Sequence, residues 1–157
     1  MTLPTDDRGE DLTIWNTGHE NVIGGALPMR FEHVSKARVV MTMQVDHRVH
    51  QPMGVLHGGA SVVLAESAAS TGANLNCVEG MVALGQENNA NHVRPKREGV
   101  IRAVAEPVHI GRTSQVWTID IRDEAGDLIC ISRCTLAVVS APKGMRPLPW
   151  QFTRGGS

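Results

Sequence analysis

The sequence has almost no net charge: 15 Lys and Arg stand against 16 Asp and Glu, a formal charge of −1. That balance supplies no basic field for nucleic acid, although the cluster from His92 to Arg97 offers local positive charge to a phosphate. Long apolar runs are also missing. No stretch approaches the roughly 20 residues that a membrane-spanning helix needs, so no membrane partner is expected. Met1 to Leu12 holds Asp6, Asp7, Glu10 and Asp11 without a basic-then-apolar run, unlike a signal or transit peptide. Cysteine is scarce and odd in number. Cys77, Cys130 and Cys134 are all there is, and Cys130-Ile-Ser-Arg-Cys134 lacks the C-x-x-C spacing of zinc and redox sites. Reduced packing cysteines in a cytoplasmic protein are expected.

What is present suits one domain. The length of 157 residues and a hydrophobic fraction of 41% suffice for a single core. Strand patterns cover Met29 to Val34, Val39 to Val45, Met81 to Asn91, Val100 to Ile110, Ser114 to Arg122 and Leu128 to Val139. Ala60 to about Asn76 is Ala-rich, free of proline and of helical length. Gly126 in DEAGD suits a short hairpin loop between the last two strands. The order β-β-α-β-β-β-β predicts an α+β fold, an antiparallel β-sheet wrapped around one long helix.

The expected organisation is a segment 1–25 with a short helix over Leu12 to Thr17 capped by Asp11, a domain 26–140, and a Pro/Gly-rich tail 141–157. Trp150 and Phe152 are candidates to anchor that tail on a neighbour. The sheet face that one helix leaves uncovered favours subunit association.

The stretch HQPMGVLHGGASVVLAESAAS, from His50 to Ser70, carries the chemistry. Gly58 and Gly59 precede the helix without a Ser, Asp or Asn cap, which predicts backbone N–H groups open to a ligand oxygen at the positive helix end. Glu66 lies among Val63, Leu64, Ala65, Ala68 and Ala69, with the Ser70 hydroxyl one turn on. Burying a carboxylate there without a partner costs several kcal/mol or more, at least on the order expected for desolvation, so Glu66 faces solvent or lines a pocket. None of the seven histidines forms the i, i+4 pair with a nearby Glu of a metallohydrolase, so no metal is expected. His19, His33, His47, His50 and His109 read as ordinary surface or core residues.

With NANHVR (Asn89 to Arg94) and EGVIRAVAEPVHIGRTSQVW (Glu98 to Trp117), this stretch resembles the hotdog-fold acyl-CoA thioesterases of the 4-hydroxybenzoyl-CoA thioesterase type that use a helix Glu. It is most similar to the branch acting on 1,4-dihydroxy-2-naphthoyl-CoA in menaquinone synthesis and to the branch that proofreads aryl-carrier protein in enterobactin synthesis. The resemblance spans about residues 26–139. It implies that Glu66 is the catalytic carboxylate, as nucleophile or as general base for water, and that the Gly58 N–H polarises the thioester carbonyl. It further implies that Gln51 and His57 surround that carbonyl, that Ser70 places a hydroxyl beside the carboxylate, and that His92 lines the pocket. Gly59 joins the substrate-binding set, as do Arg94 and Arg112, chosen from the rim cations Arg94, Lys96, Arg97 and Arg112 to meet coenzyme A phosphates.

The activity so implied is hydrolysis of an acyl-CoA thioester, with an aromatic acyl group, to free acid and CoA. No cofactor is expected, since CoA enters as part of the substrate. The alternatives are a proofreading hydrolase of misacylated aryl-carrier protein and a non-catalytic acyl-binding protein of the same fold. Gly58 and Glu66 are eight residues apart, about 12 Å along one helix, too far for one thioester to meet both. A homodimer at minimum is therefore expected, with a dimer-of-dimers tetramer beyond it and sites at the subunit interface.

Overall fold

The computed structural model describes residues 12–17 and 22–145. The Asp11 cap, His19 and the tail with Trp150 and Phe152 lie outside the described residues. Two four-residue helices, α1 (Thr13–Asn16) and α2 (Ile23–Ala26), lead into strands β1 (Met29–Val34) and β2 (Val39–Val45). A 3-10 turn (His47–Val49), the helix α3 (Gly58–Leu75), and strands β3 (Met81–His92), β4 (Gly99–Ile110), β5 (Ser114–Asp123) and β6 (Leu128–Ser140) complete the order. The helix α2 was not expected from a Gly-Gly pair. Gly24 and Gly25 form its interior, and it ends when the Leu27 N–H bonds the Ile23 carbonyl.

The six strands form one antiparallel sheet in the order β1-β2-β4-β5-β6-β3, which leaves β1 and β3 at the edges. The β5–β6 hairpin turns at Gly126, whose φ of +87° is the left-handed geometry expected there. Alternation puts Val39, Met41, Met43 and Val45 of β2, Ile101, Ala103 and Ala105 of β4, and Trp117, Ile119 and Ile121 of β5 on the face under α3. The helix answers with Leu64, Ala65, Ala68, Ala69 and Ala73. These side chains are small, so the helix axis comes close to the sheet. At Gly72 the Trp117 ring occupies the space a Cβ would need.

Polar pairs fix the depth and rotation of α3. Buried Gln115 donates to the Ala73 carbonyl (3.0 Å) and accepts from the Trp117 indole N–H (3.1 Å). Asn74 behaves like one more residue of a strand: its amide donates to the Ala83 carbonyl (2.9 Å) and accepts from the Ala83 N–H (3.0 Å). The half-buried stripe of α3 away from the core holds Val62, Val63, Glu66, Ser67 and Ser70.

A bulge in β3 sets which of its residues face α3. Gly85 and His92 are seven residues apart and would face opposite sides of a regular strand. The β3–β6 register slips by one residue between Gly85 and Glu87. The extra residue turns Ala83 and Gly85 before the bulge, and Asn88, Ala90 and His92 after it, toward the same side. Both Gly85 and His92 therefore meet α3.

Candidate active site

The loop between β2 and α3 is tied down on both sides. Asp46 accepts from the Arg48 N–H (3.0 Å) and pairs with its guanidinium (2.5 Å), and this contact holds the Asp46 carboxyl well below the usual carboxylate range. The His50 ring donates from Nε2 to the Arg97 carbonyl (2.6 Å), the Leu56 N–H to Lys96 (2.7 Å), and the His57 N–H to Val49 (2.8 Å). Within this frame the Gln51 side-chain oxygen accepts from the Met53 N–H. That contact orients the amide and leaves its NH₂ as the free end.

The start of α3 differs from the expectation of an uncapped glycine pair. His57 is the N-cap, and its Nδ1 accepts from the Gly59 N–H at 2.8 Å. A ring nitrogen does here what a Ser or Asp oxygen does elsewhere, which also explains why the helix begins at Gly58, two residues before the apolar pattern indicates. The Gly59 N–H is thus engaged, and His57 and Gly59 stand outside the cavity that Gly58 lines. The Gly58 N–H has no acceptor among the described residues.

That N–H belongs to the wall of a cavity of about 330 Å³ lined by Gln51, Val55, Gly58, Ser61 and His92, with Arg94 and Lys96 also in its wall. The His92 ring packs directly on Gly58, where a Cβ would fall 2.7 Å from Nε2. Glycine is required by this close approach. A larger depression of about 510 Å³ lies on the opposite sheet face. Its arginines are paired, Arg122 with Asp120 (3.2 Å), Arg38 with Glu106 (3.7 Å) and Arg102 with Glu32 of β1 (2.8 Å), so it presents closed ion pairs where the smaller cavity presents an open donor.

Glu66 lies two turns further along α3, half-buried, with its carboxylate against Gly85 of β3. It has no hydrogen bond or ion pair among the described residues. Its charge reaches the sheet below: burial, reinforced by the Glu66 and Glu87 carboxylates, pushes the Cys134 thiol up to about 12. Burial likewise raises Cys77 and Cys130, so all three free cysteines are protonated thiols at neutral pH. Ser70 is half-buried one turn beyond Glu66.

Of the residues singled out in the sequence, one chain brings Gln51, Gly58, His92 and Arg94 together and keeps Glu66 with Ser70 apart from them. Arg112 sits in the β4–β5 turn, at the end of the sheet opposite to His92 and Arg94, and a single chain cannot deliver it to the cavity. At the rim, Arg94 pairs with Asp127, and Lys96 with Glu124 (2.6 Å) and Asp123 (3.4 Å). Arg97 carries no ion pair among the described residues. Ser61 was missed because a serine in the first turn of a helix gives no signal of its own. Ala69, a neighbour of Glu66 along the helix, is fully buried in the core.

A six-stranded antiparallel sheet curled on one long helix is the hotdog architecture. Residues 53–130 match the Thioesterase superfamily, and the chain belongs to that family. It is 51% identical over 123 residues to the 1,4-dihydroxy-2-naphthoyl-CoA hydrolase of Escherichia coli, covering 78% of this chain and 89% of that one. It is 47% identical over 98 residues to the proofreading thioesterase EntH of Cronobacter turicensis, covering 62% and 72%. Among solved structures, a mutant thioesterase from Pseudomonas aeruginosa superposes with a TM-score of 0.79 at 45% identity, covering 83% of this chain and 95% of that one. A Haemophilus influenzae thioesterase gives 0.77 at 42%, covering 84% and 92%.

Proposed function

We propose that this thioesterase hydrolyses an aromatic acyl-CoA, of the 1,4-dihydroxy-2-naphthoyl-CoA or benzoyl-CoA kind, to the free acid and CoA. The observation that carries the reading is the Gly58 N–H, without an acceptor among the described residues at the positive end of an 18-residue helix and opening on the cavity. A thioester has weak resonance and a good leaving group, so its hydrolysis needs chiefly a stabilised oxyanion and an activated attacker. One preorganised backbone donor contributes roughly 3 kcal/mol in a dry site. The Gln51 amide adds a second polar contact to the carbonyl region. Glu66, free of competing partners among the described residues, attacks directly to give a mixed anhydride or deprotonates water.

Gly58 and Glu66 of one helix stand about 12 Å apart, whereas the attacked carbon must lie about 3 Å from its attacker. In this reading two chains pack their α3 helices antiparallel across the half-buried stripe of Val62, Glu66 and Ser70. Each site then takes Gln51, Gly58 and His92 from one subunit and Glu66 with Ser70 from the other. The same two-fold also brings Arg112 of the second subunit toward the end where Arg94 and Arg97 stand, which suits the CoA phosphates. The protein acts in the cytoplasm and needs no cofactor.

Thiol release from a panel of CoA thioesters, beside the same acyl groups on an aryl-carrier protein, tests the reading. Faster turnover of aromatic CoA thioesters is expected. A strong preference for the carrier-bound form replaces this substrate with the proofreading one that the similarity to EntH suggests.

A further inference from the structure

Ser61 is 1% exposed, and its hydroxyl has no hydrogen-bond partner among the described residues. Buried hydroxyls are almost always paired, and a helical serine has an easy partner in the carbonyl four residues back. Thr71 takes that option on the same helix, bonding the Ser67 carbonyl at 2.8 Å. Ser61 does not. It lines the cavity instead, together with Gly58, Gln51 and His92. Residues three apart share a helix face, and helical side chains lean toward the N-terminus. Both facts place Ser61 on the Gly58 side of the first turn, so that two donors without partners among the described residues border one space.

We propose that the Ser61 hydroxyl is a further donor to the thioester carbonyl oxygen, joining the Gly58 N–H in the oxyanion hole beside the Gln51 amide. This rests on the cavity being the thioester site. As the new C–O bond forms at the carbonyl carbon, the C=O π pair moves onto oxygen, where both donors hold it. The pair returns as the C–S bond breaks, and the bonding electrons leave with the sulfur, which is protonated from water. Ser61 keeps its proton throughout. Its hydrogen bond strengthens only as charge builds on oxygen, so its loss falls on kcat.

The test is steady-state kinetics and thermal unfolding of Ser61→Ala beside wild type and Glu66→Gln on the same thioester panel. The expected result is a kcat lower by about 10- to 10³-fold with KM nearly unchanged. The melting temperature should hold or rise, because the variant removes an unpaired buried hydroxyl. Wild-type kcat in Ser61→Ala overturns the inference, as does a rise in KM alone, which makes the hydroxyl a ground-state contact. Loss of activity together with a lower melting temperature, or failure to fold, also overturns it, since the hydroxyl is then structural. These outcomes leave the proposed function standing as long as wild type turns over and Glu66→Gln does not. If wild type matches Glu66→Gln on every thioester, the reading of the cavity itself falls, and this inference with it.

Discussion

Glu66 is held where a carboxylate gains least from its own chain: half-buried, against the bare backbone of Gly85, with no donor to satisfy it among the described residues. A group kept in that condition is available for chemistry. Glu66→Gln should lower kcat by about 10³-fold or more while the melting temperature stays level or rises, because a charge without a partner is replaced by a neutral isostere. Gly85→Ala makes a sharper variant. A Cβ at Gly85 would occupy the place of the carboxylate, and a flexible side-chain end can swing away at little cost to the fold. Circular dichroism melts near wild type with clearly reduced kcat are expected; full activity would show that the carboxylate position is immaterial.

Another residue-level expectation concerns acid. The Lys96 ammonium, followed by the Val100 N–H, holds Glu124 at about 2 against an ordinary 4.5. A carboxylate with a depressed folded pKa stabilises the fold above its unfolded pKa and loses that contribution as pH falls through the folded one. The difference in melting temperature between wild type and Glu124→Gln should therefore be full above about pH 4.5 and vanish toward pH 2. A difference that persists at pH 2 contradicts the assignment.

At the scale of the element, α3 is placed by its smallness. Gly72 lies beneath the Trp117 ring, and Asn74 and Gln115 lock the C-terminal half to β3 and β5. Gly72→Ala forces the buried ring to move and should cost about 1–3 kcal/mol by overpacking, read from the urea midpoint. An unchanged midpoint would mean that the ring relocates freely. The six strands were legible in the sequence to within a residue or two because alternating Val, Ile and Thr next to Gly and charged turns mark both period and ends. The long helix was legible too, except at its start, where a histidine ring nitrogen caps it and periodicity carries no trace of that. The β3 bulge was not legible. Strict alternation separates Gly85 from His92, and only pairing with β6 shows that one extra residue turns both toward α3. Motif resemblance picked out Gln51, Gly58, His92 and Arg94, which the fold gathers into one cavity, whereas Ser61 shows itself only through a hydroxyl left unpaired on burial.

At the scale of the whole molecule, the proposed function makes the distance along α3 set the assembly. With Gly58 and Glu66 in their proposed roles, one helix cannot bring both to one carbon, and each active site is built from two chains. The direct measurement mixes Gln51→Ala with Glu66→Ala, each inactive alone, under conditions where subunits exchange and heterodimers are demonstrated by mass spectrometry. In a shared site, one of the two sites of each heterodimer carries both defects and the other carries none. Random exchange in equal amounts should then restore thioesterase activity to about one quarter of wild type. Demonstrated heterodimers that remain as inactive as the two parents would place Gln51 and Glu66 of the same chain in one site and contradict the account.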